Sequence, residues 1–172
     1  MTFKNQLKRV AKRLRLVQLA AWGYELYRQI RRPHTHGALV AIWSNNKVLL
    51  VQTSYRKGYG LPGGGLQNGE SAREAAAREL DEELGISIKS SWLQDPWTIS
   101  ERQPGGLNTV TIFALLWDQH QTNSIHPPIE IDQLEIIAAT WMSREQALNQ
   151  HLPNHLRHYL VTYGLESKTF ES

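Results

Sequence analysis

Six carboxylates fall between Glu70 and Glu83, and four of them, Glu79, Asp81, Glu82 and Glu83, sit within five residues. Directly before them Gly63, Gly64 and Gly65 supply permissive backbone. On a helix, Glu79, Glu82 and Glu83 are spaced three and four apart and share one face. Carboxylates so placed repel one another, which costs stability and raises their pKa values unless a cation lies among them. A hard divalent cation suits the arrangement, because Mg2+ prefers carboxylate oxygen and retained water. A solvated acidic helix face is the competing reading of the same residues, and context must decide between the two.

The context is a helix with both ends marked. Ser71-Ala72-Arg73-Glu74 is a capping box, and Gly85 stands where a left-handed residue closes a helix. The residues between are strong helix formers, and Ala76, Ala77, Leu80 and Leu84 form the face expected to pack on a sheet. The order Gly64, Glu70, Arg78, Glu79, Leu80, Glu82, Glu83, Gly85, Ile86 follows one fixed pattern. A chance match at every one of these positions is below about one in a million at ordinary residue frequencies.

That pattern is the Nudix box, and the chain resembles the Nudix hydrolases. The resemblance extends to Leu61-Pro62-Gly63-Gly64 before the box, to the preceding hairpin, and to the Glu135 to Trp141 strand after it. It implies an α/β/α sandwich around a mixed β-sheet, and divalent-metal-dependent cleavage of the pyrophosphate bond of a nucleoside diphosphate linked to another group. By matching positions it makes Glu79, Glu82 and Glu83 the metal ligands, with the carbonyl of Gly63 completing the site. Mg2+ is the expected ion and Mn2+ the alternative. Arg78 would brace Glu79, and Glu70 would support the turn and a metal-bound water. Members of the family often carry the general base on a later loop, a description that Glu135 fits first and Glu130 second, with Asp132 in the same loop. The expected catalytic set is therefore Glu79, Glu82, Arg78 and Glu135.

The same resemblance leaves the substrate open. Arg56 and Lys57 could contact terminal phosphates, and Tyr55, Tyr59 or Trp97 could stack on a base. The proline that marks ADP-ribose hydrolysis in the family falls on Arg102, and the tyrosine associated with dinucleoside polyphosphates is missing. The alternative to an enzyme is a Nudix-fold module that senses a nucleotide without turning it over. Its mark would be a damaged box, and this box is intact.

These residues need a scaffold, and the rest of the chain reads as one. GALVAIWSNNKVLLVQT is a hairpin turning at Ser44-Asn45-Asn46, since Asn tolerates the positive φ of tight turns. Strands are expected at Ile88 to Trp97, Thr109 to Asp118 and Leu134 to Ser143, with a loop at SERQPGGLN and a long polar connection before Glu130. Two short helices follow, the second closed by Gly164. Residues 33–165 form the expected catalytic domain, and residues 166–172 a tail. Strands and helices without regular alternation point to a mixed sheet covered by helices. The pairs His34/His36 and His155/His158 lack a third convergent ligand and read as surface residues.

Residues 1–32 stand apart as a basic amphipathic helical extension. They carry nine Lys or Arg against the single Glu25, a net +8, which leaves the other 140 residues at −5 within the total of +3. Phe3, Leu7, Val10, Leu14, Val17, Ala21 and Tyr24 form an apolar seam. The seam and charge suit packing on the domain or a homodimer contact first, and peripheral association with an anionic membrane second. The apolar stretch is too short to span a bilayer. With a mildly acidic body no specific nucleic-acid partner is expected. The chain has no Cys, which excludes disulfides and thiolate metal sites and agrees with a cytoplasmic location, either free or at the inner face of the membrane.

Overall fold

The computed structural model describes residues 35–103, 106–120, 126–131 and 135–166. The basic extension, and with it the expected dimer or membrane contact, lies outside the described residues. Two compact units are distinguished. Thr35, residues 101–103 and residues 106–108 belong to a small one, in which Thr35 Oγ1 donates to Asn108 Oδ1 at 2.8 Å. His36–Ser100 and the chain from Thr109 onward form the larger unit, which carries the described residues of the candidate site.

The described chain runs β1 (Thr35–Ser44), β2 (Lys47–Thr53), β3 (Gly63–Gly65), α1 (Ala72–Leu84), β4 (Gln94–Gln103), β5 (Gly106–Leu116), β6 (Ile136–Ser143), α2 (Arg144–Leu148) and α3 (Asn154–Glu166). The strands form one mixed sheet in the order β4-β5-β1-β2-β6, and β3 adds to β1 off this path. β1 and β2 turn through Asn45 and Asn46, both at positive φ (47° and 61°), the conformation that selects Asn in a two-residue hairpin. β2 then pairs antiparallel with β6 along its whole length, from Lys47 opposite Ser143 to Thr53 opposite Ile136, with a bulge between Gln52 and Thr53.

Alternation along the strands sends side chains to two cores, one on each face of the sheet. Ala38, Val40, Ile42, Leu49, Val51, Phe113 and Leu115 pack under α1 with Leu80 and Leu84. Ala41, Val48, Leu50, Val110 and Ile112 pack against Leu152, Leu156, Tyr159 and Leu160 on the other side. Helices thus cover both faces, which is the expected α/β/α arrangement. No described helix is long and apolar enough to cross a membrane.

Three local expectations are corrected. The strand expected at Ile88 begins only at Gln94, because Ser90–Trp92 forms a 3-10 turn. The stretch read as a loop from Ser100 mostly continues the strands, with β4 running to Gln103 and β5 starting at Gly106. The last helix passes through Gly164 and ends at Glu166. On α1 the expected face packs on the sheet, with Ala76, Leu80 and Leu84 buried beside Ala75 and Ala77 half-buried against the same core. The helix is rolled so that the side bearing Glu79 and Glu83 faces inward, and Glu83 itself is only 7% exposed.

Candidate metal and phosphate site

Both ends of α1 are fixed by local sequence. Ser71 Oγ accepts from the Glu74 N–H, and the Glu74 carboxylate accepts from the Ser71 N–H at 2.9 Å, the reciprocal pair of a capping box. The Ser71 hydroxyl also donates to Glu74 Oε2 at 2.6 Å, and this bond first, with the Ser71 N–H second, holds the Glu74 carboxyl below its usual range. At the other end Gly85 adopts φ 65°, and its N–H donates to the Asp81 carbonyl at 3.0 Å. The register of the glutamates on the helix is therefore set independently of any ligand.

β3 brings the glycines against that helix. It pairs antiparallel with β1, Gly63 opposite Leu39 and Gly64 opposite Ala38. Gly63 has φ 131°, and a Cβ there would run into the Ala38 carbonyl oxygen. A Cβ on Gly64 would lie 2.6 Å from Glu79 Oε1, so the missing side chain is the space the Glu79 carboxylate fills. The Gly63 N–H donates to Glu83 Oε2 at 2.8 Å. Strand and helix thus meet through backbone on one side and carboxylates on the other.

Arg78 ties the cluster together. Its Nε and Nη2 grip Glu70 through both oxygens at 2.9 and 3.1 Å, its Nη1 reaches Glu79 Oε1 at 2.8 Å and Glu82 Oε2 at 3.1 Å, and Nη2 also donates to the Gly65 carbonyl at 3.2 Å. These partners, Glu70 foremost, push the Arg78 guanidinium above its ordinary value, so it is a permanent cation. Glu70 is held low by Arg78 and then by the Gln67 N–H. Glu79 goes the other way: desolvation raises it, the Arg78 bonds oppose this, and the charges of Glu82 and Glu135 push it further up. A half-buried carboxylate crowded by two more has a surplus of negative charge.

The later glutamates separate. Glu135 lies close enough to Glu79 to raise it electrostatically, and its carboxylate accepts a 2.5 Å hydrogen bond from the Tyr55 hydroxyl. Its backbone carbonyl accepts from the Ser54 N–H at 2.9 Å. Glu130 is instead latched at the end of α1, its N–H donating to the Leu84 carbonyl and its Cβ lying over Gly85. Asp132 lies outside the described residues.

Among the expected substrate contacts, Tyr55 is 41% exposed and carries the Arg56 guanidinium 5.6 Å from its ring centre. Partial burial, then the Glu135 bond, pushes the Tyr55 phenol above its usual range, so it remains an O–H donor. Arg56 and Lys57 are exposed on the same loop. Gly58, at φ 92°, lets that loop close on the His151 carbonyl, which also accepts from the Tyr59 N–H at 3.0 Å. Tyr59 and Trp97 pack with the core under α3, Trp97 edge-on to Tyr159 at 6.0 Å, on the sheet face opposite α1. His36 Nε2 lies 2.9 Å from Thr111 Oγ1. The Tyr55 contact to Glu135 joins residues 80 apart in sequence, and no spacing signal announces it.

The donor set fits a hard cation: every acceptor is a carboxylate or backbone oxygen, desolvation and the neighbouring carboxylates push Glu79 up, and the bare backbone of Gly64 makes room for its carboxylate. The oxygens are not drawn around a common point, and among the described residues no three His, Asp or Glu groups form a ready-made cage. Arg78 instead holds one oxygen from each of Glu79 and Glu82.

Comparison with known proteins adds a family to this geometry. The model of the NUDIX domain matches residues 33–163. An ADP-ribose pyrophosphatase of Methanocaldococcus jannaschii is 32% identical over 77 residues, which is 43% of this chain and 46% of that protein. The mitochondrial Nudix hydrolase 16 of Arabidopsis thaliana is 33% identical over 96 residues, 45% of this chain and 51% of that one. The chain spans about half the length of these two relatives. A solved structure of a bifunctional NMN adenylyltransferase/ADP ribose pyrophosphatase from Francisella tularensis, complexed with AMP and a Mn ion, superposes with a TM-score of 0.67 at 20% identity, covering 86% of this chain and 47% of that one. At that identity the likeness is one of fold.

Proposed function

The chain belongs to the Nudix domain family, and on that premise we propose that it is a divalent-metal-dependent hydrolase that cleaves the pyrophosphate bond of a nucleoside diphosphate linked to another group. The observation that carries the reading is the Arg78 junction, which gathers Glu70, Glu79 and Glu82 while β3 holds Glu83 and leaves room for Glu79.

Glu79, Glu82 and Glu83, with the Gly63 carbonyl, would hold the ion, Mg2+ or Mn2+. A bound divalent cation supplies charge neutralisation on the phosphoryl oxygens and lowers the pKa of water. The chain's own groups do the rest. Arg78 fixes the Glu79 carboxylate and offsets its charge while the site is assembled. Glu135, near enough to Glu79 to raise it and bonded to Tyr55, takes the proton of the attacking water. Arg56 and Lys57 meet the phosphates, adding cationic charge from the exposed loop that carries Tyr55.

The name of the Methanocaldococcus relative makes ADP-ribose the first substrate to try, beside a panel of nucleoside diphosphate derivatives. Wild-type protein with Mg2+ releases nucleoside monophosphate, EDTA stops the release, and Glu82→Gln lowers kcat/KM by at least about a hundredfold. An unchanged rate in Glu82→Gln sinks the assignment. Binding of a nucleotide without release of product by the wild type favours a sensing module instead.

A further inference from the structure

We propose that Tyr55 is the positioning residue for Glu135, holding the carboxylate through its hydroxyl so that the phosphate-contacting loop and the proton acceptor move as one unit. This rests on the reading of Glu135 as general base, and it changes the expected role of Tyr55 from a stacking surface to a support.

Three observations converge on it. The Tyr55 hydroxyl donates to Glu135 Oε1 at 2.5 Å, the short distance expected when an O–H meets a charged carboxylate. The preceding residue makes a second link, since the Ser54 N–H donates to the Glu135 carbonyl at 2.9 Å. Two bonds, one to the side chain and one to the backbone, fix both the Cα position and the carboxylate of Glu135. Finally, Arg56 lies over the Tyr55 ring, so the residue expected to meet phosphate packs on the one that holds the base.

The location explains why support is needed. Glu135 precedes the first residue of β6 and lies at the bulged end of the β2–β6 ladder, where Thr53 opposes Ile136 after the register shifts. A bulge leaves the strand end less constrained by the sheet. Beyond Thr53 the ladder is extended by the Ser54 bond, and the Tyr55 hydroxyl reaches the Glu135 carboxylate from the β2 side. A ring bearing a hydroxyl has few rotatable bonds, so it orders a carboxylate at small entropic cost. A ring used for stacking would need an open face and would not need the hydroxyl.

The distinguishing variant is Tyr55→Phe, which keeps the ring and removes only the donor. With ADP-ribose, or whichever derivative of the panel the full-length wild type hydrolyses with Mg2+, kcat falls about tenfold while KM stays within about twofold, the pattern of a lost transition-state geometry. In the Glu135→Gln background the same change has no further effect, because the group it positions has lost its function. Unchanged kcat, or a raised KM at unchanged kcat, overturns the proposal, as do losses that multiply in the double variant. A wild-type rate for Glu135→Gln removes the base assignment and the positioning role together, whereas a slow Glu135→Gln beside a normal Tyr55→Phe removes the positioning role alone. Crystal structures of wild type and Tyr55→Phe give a readout independent of turnover: the carboxylate of Glu135 shifts or splits over rotamers in the variant, and an unmoved carboxylate overturns the proposal.

Discussion

Arg78 meets Glu70 as a two-pronged fork, Nε to Oε1 at 2.9 Å and Nη2 to Oε2 at 3.1 Å, which leaves Nη1 alone to serve Glu79 and Glu82. The fork sets the plane of the guanidinium, and the plane aims Nη1. Lysine carries the same charge as a point and cannot hold both sides of this junction. Arg78→Lys is therefore expected to lower kcat/KM at least about tenfold. Its melting temperature should stay within about 4 °C, since partly exposed ion pairs contribute little to folding. Steady-state kinetics and a thermal melt check both, and an unchanged kcat/KM would show that the aim of Nη1 has no bearing on catalysis.

The capping box gives a separate prediction, on stability and its pH dependence. Ser71→Ala removes the acceptor for the Glu74 N–H and should cost about 1 kcal/mol. Glu74 is depressed below its ordinary value of 4.5 by its bonds to Ser71. A depressed carboxyl contributes stability that is complete above its unfolded pKa and is lost as pH falls through the folded one. The contribution is thus intact at neutral pH and disappears below about pH 4. Glu74→Gln keeps a side-chain acceptor that does not titrate, so its urea midpoint should fall less than that of the wild type between pH 6 and about pH 3. Parallel acid limbs in the two proteins would refute the role.

What could be read in the sequence was what the chain settles locally. The capping box, the Gly85 cap and the shared face of Glu79 and Glu83 all belong to one helix and its ends, where spacing fixes contact. The Asn45-Asn46 turn was legible for the same reason. The burial of Glu83 was not, because it depends on the Gly63 N–H of β3 reaching its carboxylate from another segment. The extent of β4 and β5 was hidden because Gln-Pro-Gly-Gly reads as loop, while β4 runs to Gln103 and β5 starts at Gly106. Tyr55 and Glu135 meet only because β2 pairs with β6 in one particular register, and a register is a property of two distant segments together.

The two glycines of β3 should separate activity from stability. Gly64 has an ordinary backbone, and the atoms a Cβ would meet are the carboxylate end of Glu79, at 2.6 to 2.8 Å. A flexible side-chain end can move aside, so Gly64→Ala should fold with a melting temperature near that of the wild type. The displaced carboxylate, however, loses its place beside Arg78, and a displacement of about 1 Å in a reacting assembly costs on the order of a hundredfold in rate. Gly63 differs in both respects: its φ of 131° strains any L side chain, and the obstacle is the Ala38 backbone within the sheet. Gly63→Ala should therefore lose about 1–3 kcal/mol of stability before any effect on turnover is considered. Melting curves and kcat/KM for the pair make the comparison. Equal destabilisation by both substitutions would mean that the space beside Gly64 is structural, and Glu79 would then owe its position to Arg78 alone.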